Sequence, residues 1–198
     1  MIIGITGGIA SGKSEVCRIL KKKGFIHIDA DEVAHDVLEF PDVINEIITE
    51  FGTGVVVEDN NGKKQVDRKK LGKIVFGSTD QMNKLENITH PRIVQQIKGI
   101  INNNSNDYII EAIEIVSSGL VNICDELWVI HAEPEQQIKR LTENRHLSYE
   151  EACSRLKAQE DHDWDEKKAD RIIYSTEPIE SMERQVLDAL DHIYGLKQ

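Results

Sequence analysis

The stretch MIIGITGGIASGKSEV, residues 1–16, decides how the rest of the chain is read. Ile2, Ile3, Ile5 and Thr6 make a short β-prone apolar run, the pattern of a buried strand over residues 2–6. Val16, Ile19 and Leu20 then fall on one face of a helix that ends at the basic turn Lys21–Lys23 and Gly24. Between strand and helix stands Gly7-x-x-x-x-Gly12-Lys13-Ser14, and that setting makes the spacing a phosphate site. Glycines let successive amides curl round an anion, the helix N-terminus adds partial positive charge, and the lysine reaches the outer phosphates. Gly8, Ala10, Ser11, Gly12, Lys13, Ser14 and Glu15 are therefore the expected ligand loop. Its expected ligand is a nucleoside triphosphate, with Mg2+ on the Ser14 hydroxyl, a cradle that GTPases, motor ATPases and small-molecule kinases share.

The remaining chain supplies the rest of an α/β domain. FIHID (25–29), YIIEAIEIV (108–116), ELWVIHA (126–132) and RIIY (171–174) read as strands. Helical patterns cover 32–51, 68–76, 79–101 with an interruption at His90-Pro91, much of the charged stretch 133–168, and 179–193. EDNNGKKQ (58–65) reads as a polar turn and NNNSND (102–107) as a loop.

Composition narrows the function. At 198 residues the chain suits one domain with insertions. A net charge of -11 speaks against general nucleic-acid or anionic-membrane binding, because phosphate backbones demand a basic face. No apolar run approaches the ~20 residues of a membrane helix, and the first strand lacks the flanks of a targeting signal, so the cytoplasm is the expected location. Cys17, Cys124 and Cys153 are odd in number and far apart, which argues against a disulfide framework or a metal knuckle and for small buried hydrophobes.

Holding ATP does not identify what receives the phosphate. In IDADEVAHDV, Asp29 and Asp31 stand at the carboxyl end of the second expected strand, where open parallel sheets bind ligands. Extended spacing of two would point both carboxylates the same way, so that one aligns an attacking hydroxyl. Equally, Asp31 could cap the following helix.

From here the motifs GITGGIASGKS, IDAD, VDRKKLGKIVF, LENITHP, EQQIKRL, RLKAQ and ADRII follow in the order and spacing of dephospho-CoA kinases. The chain resembles that family over nearly its whole length. The resemblance implies a three-layer α/β/α P-loop kinase with a parallel five-stranded sheet, a helical acceptor-binding insertion and a helical lid. On this sequence the core spans about 1–31, 105–140 and 169–198, the insertion about 32–104 and the lid about 141–168. The implied reaction moves the γ-phosphoryl group of ATP to the 3′-hydroxyl of the dephospho-CoA ribose. Carried over by position, Asp31 resembles the hydroxyl-aligning acid, Arg68 and His90 stand near the acceptor, and Arg140 and Arg155 resemble lid arginines that close over the transferring group. Gln159 matches as well. Packed or solvated roles remain open for His90 and both lid arginines. So do a different small acceptor such as a nucleotide, a nucleotide-binding paralogue with impaired catalysis, and either a monomer or a small homo-oligomer.

The chain also departs from the family pattern. In IEAIEIVSSGL (110–120), Ile113 replaces a common proline and Ser117 stands where an acid is common. Glu111 or Glu114 could compensate, Glu111 as a metal-assisting acid, and Asp29 could share the work of Asp31. Asn144 replaces an expected arginine with Arg145 beside it, Asp165 a common base, and Ser175 a common asparagine. EDHDWDE (160–166), around His162, reads as a solvated turn, and the Arg68–Lys70 cluster as attraction for a phosphorylated small molecule.

Overall fold

The opening apolar run forms strand β1 (Ile2–Thr6), whose Ile3 and Ile5 are fully buried. A computed structural model describes residues 1–59, 61–103, 105–159, 166–175 and 178–195. After β1 come α1 (Lys13–Lys22), β2 (Ile26–Asp29), α2 (Ala30–Val37), α3 (Pro41–Phe51), β3 (Val56–Glu58), β4 (Lys64–Val66), α4 (Arg68–Val75) and α5 (Thr79–Asn102). The chain continues through β5 (Tyr108–Glu111), β6 (Glu126–His131), α6 (Pro134–Arg145), α7 (Tyr149–Lys157), β7 (Arg171–Tyr174) and α8 (Ile179–Ile193). These elements fall into two units, residues 1–28 with 106–198, and residues 29–105.

In the first unit a five-stranded sheet runs β2-β5-β1-β6-β7. β1 pairs in parallel with β5 (Ile3 opposite Ile109) and with β6 (Ile5 opposite Trp128), and β6 with β7 (Ile130 opposite Ile173). Parallel strands covered on both faces are apolar nearly throughout, as Tyr108–Ile110 and Leu127–Ile130 are. One core cluster joins Ile3, Ile5 and Trp128 of the sheet to Val16 and Leu20 of α1 and Met182 and Val186 of α8. With later strands on both sides of β1, its following loop leaves the carboxyl edge where the strand order reverses, the usual ligand position.

The second unit gathers α2, α3 and α4 around α5. α5 runs without a break through Pro91, against the interruption expected at His90-Pro91. Proline removes one backbone donor and crowds the preceding turn. Packing against three helices, the buried Thr89, Ile93 and Ile97, and the Arg92 bridge to Asp42 and Glu46 of α3 (both 3.0 Å) hold the helix together. The polar turn expected over 58–65 is shorter than that: Glu58 ends β3, Lys64 and Gln65 open β4 in an antiparallel hairpin, and between them Asp59 Oδ1 accepts from the Asn61 and Lys63 amides (2.8 and 2.9 Å). The helical stretch 32–51 divides before Pro41, which starts α3. The strand expected over 108–116 stops at Glu111, and residues beyond it form turns closed by Ser118 N to Glu114 O (2.9 Å) and Gly119 N to Val116 O (3.0 Å).

Candidate functional site

The loop between β1 and α1 has a backbone that only certain residues tolerate. Gly7 has φ 143° and Gly12 φ 110°, and Ala10 takes the left-handed region at φ 55°. A Cβ on Gly7 would stand 2.4 Å from the Ile130 carbonyl oxygen, and one on Gly12 would stand 2.6 Å from Ser175 Oγ. Here the glycines are needed both for their torsions and for the close approach of β6 and of the residue after β7.

The carbonyls of this loop are tied down from behind. Gln137 Nε2 donates to Ile9 O (2.7 Å), while Arg140 Nη1 donates to Ala10 O (3.0 Å) and Ser11 O (3.1 Å) and Nη2 to Ser175 O (3.4 Å). Gln159 Oε1 accepts from the Ile9 amide (2.8 Å). Lys13 Nζ donates to the carbonyls of Gly7 (2.7 Å) and Gly8 (3.0 Å). Among the described residues, the amides of Gly8, Ala10, Gly12 and Ser14 donate no hydrogen bond within the protein. Side chains cap α2 (Asp29), α4 (Asp67), α5 (Ser78) and α7 (Ser148), whereas α1, like α3, α6 and α8, starts without a side-chain cap. Buried beside it, the hydroxyls of Ser11 and Ser175 have no partner. Carbonyls engaged, amides open and a helix start uncapped suit an anion with several oxygens.

Gln137 has no place among the residues expected from sequence. Its signal was available: it lies three residues before Arg140 in EQQIKR, on the same helix face. A cavity of about 420 Å3 adjoins the loop, lined by Gly12, Glu15, Arg140, Asn144 and Ser175 among others. Ser14 is exposed at the start of α1, and Glu15 pairs with Arg18 one turn on. Asn144 lines this cavity while Arg145 is exposed, as is Arg155 on α7. Asp165 and His162 lie outside the described residues.

At the end of β5, Glu111 Oε2 accepts from His27 Nε2 (3.0 Å) and Cys17 Sγ (3.4 Å). The His27 bond first, then the Cys17 thiol and the charges of His27 and Lys13, hold its carboxyl below the usual range although burial pushes it up. The Glu111 carboxylate thus faces His27 and Cys17, and Ser14 is an exposed hydroxyl of the loop that could hold Mg2+. Ser117, where an acid was expected, donates its hydroxyl to the Glu114 carboxylate. Ile113 offers its carbonyl to Thr6 Oγ1 (2.9 Å), at the base of the phosphate loop.

In the second unit the Asp29–Asp31 pair corrects the sequence reading. Asp29 ends β2 and α2 begins at once, so the two residues do not share an extended segment. Asp29, not Asp31, is the cap: its Oδ1 accepts from the amides of Asp31 (2.9 Å) and Glu32 (3.3 Å). Asp31 is exposed in the first turn of α2, where the helix dipole favours its charge. Arg68 is exposed and, with His35, Leu71 and Phe76, lines a largely apolar cavity of about 810 Å3. His90 is half-buried on α5 and is not among the residues lining it.

The dephospho-CoA kinase family model matches residues 1–180. The dephospho-CoA kinase of Carboxydothermus hydrogenoformans is 40% identical over 195 residues, 96% of this chain and 92% of that protein. Among solved structures, a Thermus thermophilus protein superposes with TM-score 0.77 at 25% identity over 97% of both chains. The Campylobacter jejuni dephospho-CoA kinase does so with TM-score 0.59 at 28% identity, over 97% of this chain and 96% of that one. This P-loop kinase fold, with its braced loop and matching sequence, makes the chain a member of the dephospho-CoA kinase family.

Proposed function

We propose that the chain transfers the γ-phosphoryl group of ATP to the ribose 3′-hydroxyl of dephospho-CoA, giving coenzyme A and ADP. The observation that carries the nucleotide half is the uncapped, carbonyl-braced loop before α1. Family membership over residues 1–180 supports the acceptor. The amides of Gly8, Ala10, Gly12, Lys13 and Ser14 receive the phosphate oxygens, with Ser11 and Glu15 completing the loop. Lys13 exchanges the Gly7 and Gly8 carbonyls for the outer phosphates. Mg2+, held by Ser14, neutralises charge on the phosphates when bound.

The acceptor side rests on the resemblance and on residue chemistry. Asp31 accepts the hydrogen bond of the ribose hydroxyl and aligns its oxygen for attack, and Arg68 and His90 bind the acceptor. Arg155 supplies a guanidinium to the transferring group. Arg140 does so too, with its bonds to Ala10 and Ser11 keeping the loop in shape. The need for ATP, the phosphoryl donor in this reading, supports a cytoplasmic setting. The test is ADP release with Mg2+-ATP and either dephospho-CoA or a nucleotide as acceptor. Dephospho-CoA should be strongly preferred, and equal rates would contradict the acceptor assignment.

A further inference from the structure

Three side chains from three different elements meet in the first unit: Cys17 on α1, His27 on β2 and Glu111 at the end of β5. Their ligand-type atoms all lie within 4.8 Å of one another. Cys17 Sγ is 3.4 Å and His27 Nε2 3.0 Å from the same oxygen, Glu111 Oε2. Around a tetrahedral zinc ion, bonds of about 2.3 Å to sulfur and about 2.0 Å to nitrogen or oxygen put sulfur and oxygen about 3.5 Å apart and nitrogen and oxygen about 3.3 Å apart. The observed separations are within a few tenths of an ångström of those values.

We infer that Cys17, His27 and Glu111 form a binding site for a zinc-class divalent cation, with a fourth position left to water. Thiolate, imidazole and carboxylate together select borderline-soft metals over Mg2+, which takes oxygen ligands. Access exists, because β2 is the edge strand of the sheet and the His27 and Glu111 side chains keep 21% and 15% of their exposure. On binding, the Cys17 S–H bond breaks, its proton passes to solvent and a sulfur–metal bond replaces it, with no change of oxidation state. Without metal, the same atoms form the hydrogen-bonded chain seen here. The site is distinct from the Ser14 position for Mg2+, but one helical turn from it, since Cys17 follows Ser14 by three residues.

Cobalt titration of the nucleotide-free protein tests this independently of the kinase reading. One equivalent of Co2+ should produce a thiolate-to-cobalt charge-transfer band in the near ultraviolet, together with the intense visible bands of tetrahedral cobalt, and Zn2+ should abolish both. Cys17→Ser should remove the charge-transfer band, and His27→Gln should weaken cobalt binding at least about 10-fold, the low end of losses seen for supporting groups alone. The Cys124→Ser, Cys153→Ser double variant should retain it. Absence of a thiolate band in the unaltered protein, or its persistence in Cys17→Ser, overturns the inference. Should Cys17→Ser fail to fold, His27→Gln at the partly exposed position decides, and unchanged cobalt affinity there counts against the site.

Discussion

Replacing Arg140 with alanine separates the two things its guanidinium can do. It donates to the carbonyls of Ala10 (3.0 Å) and Ser11 (3.1 Å), with a longer bond of 3.4 Å to Ser175 O. Bonds from a charged donor are worth about 1.5–3 kcal/mol each, and this group is half-buried, so the low end applies to the two shorter ones and the third adds little. The total, about 3 kcal/mol, is an upper value because water will replace part of it. If half or more is spent in keeping the loop ready for phosphates, ATP affinity should fall roughly 10- to 100-fold, at about 1.4 kcal/mol per factor of ten. Arg140→Lys should restore only part of the affinity, since one ammonium can replace Nη1 at the Ala10 and Ser11 carbonyls but not the second arm of the planar fork, Nη2, at Ser175 O. Calorimetric titration with Mg2+-ATP, without acceptor, reads the effect directly. An affinity within twofold of the unaltered protein, with kcat collapsed, would show that Arg140 acts on the transferring group alone and that its loop contacts are incidental.

Other expectations follow from single contacts. Gly7→Ala must fit a Cβ 2.4 Å from a backbone oxygen at φ 143°, so it should destabilise the fold by about 2–3 kcal/mol and lower Tm by roughly 5–10 °C in a thermal melt. A melt unchanged within 1–2 °C, on the same scale, would refute the close approach. Asp31→Asn should reduce kcat about 100-fold or more with little change in ATP affinity, the size typical of lost proton-acceptor function. Unchanged kcat removes Asp31 from the proposed mechanism. Burial, and then the charge of Asp125, pushes the Cys124 thiol up to about 12. In mild alkylation at pH 8, where its thiolate is scarce, Cys124 should stay unmodified in the native protein while denatured chain reacts fully. Rapid labelling of Cys124 in folded protein would be the contrary result.

What the sequence discloses here is local order, and what it conceals is long-range meeting. The strand over residues 2–6, the helix after it and the terminal helix are legible because apolar periodicity is strong and runs uninterrupted. The continuity of α5 is not, because propensity at Pro91 argues for a break and only three packing partners override it. Likewise Asp29 and Asp31 look like an extended pair until the helix is seen to start at Ala30, which makes Asp29 the cap. Within the phosphate loop, glycine spacing announces the anion site, but its bracing by Gln137, Arg140 and Gln159 joins positions about 130–150 apart in the chain. Cys17 shows the same limit. By spacing it reads as a packed thiol, and it is indeed buried, whereas Cys124 and Cys153 keep partial exposure. Only the sheet reveals that His27 and Glu111 stand against it.

The most direct measurement is the chemical fate of the acceptor. Dephospho-CoA incubated with the protein and Mg2+-ATP should yield, by mass spectrometry and phosphorus NMR, a product with one added phosphoryl group on the ribose 3′-oxygen, and Lys13→Ala should yield almost none. Recovery of unmodified dephospho-CoA from protein that binds ATP, or equal product from Lys13→Ala, would contradict the account.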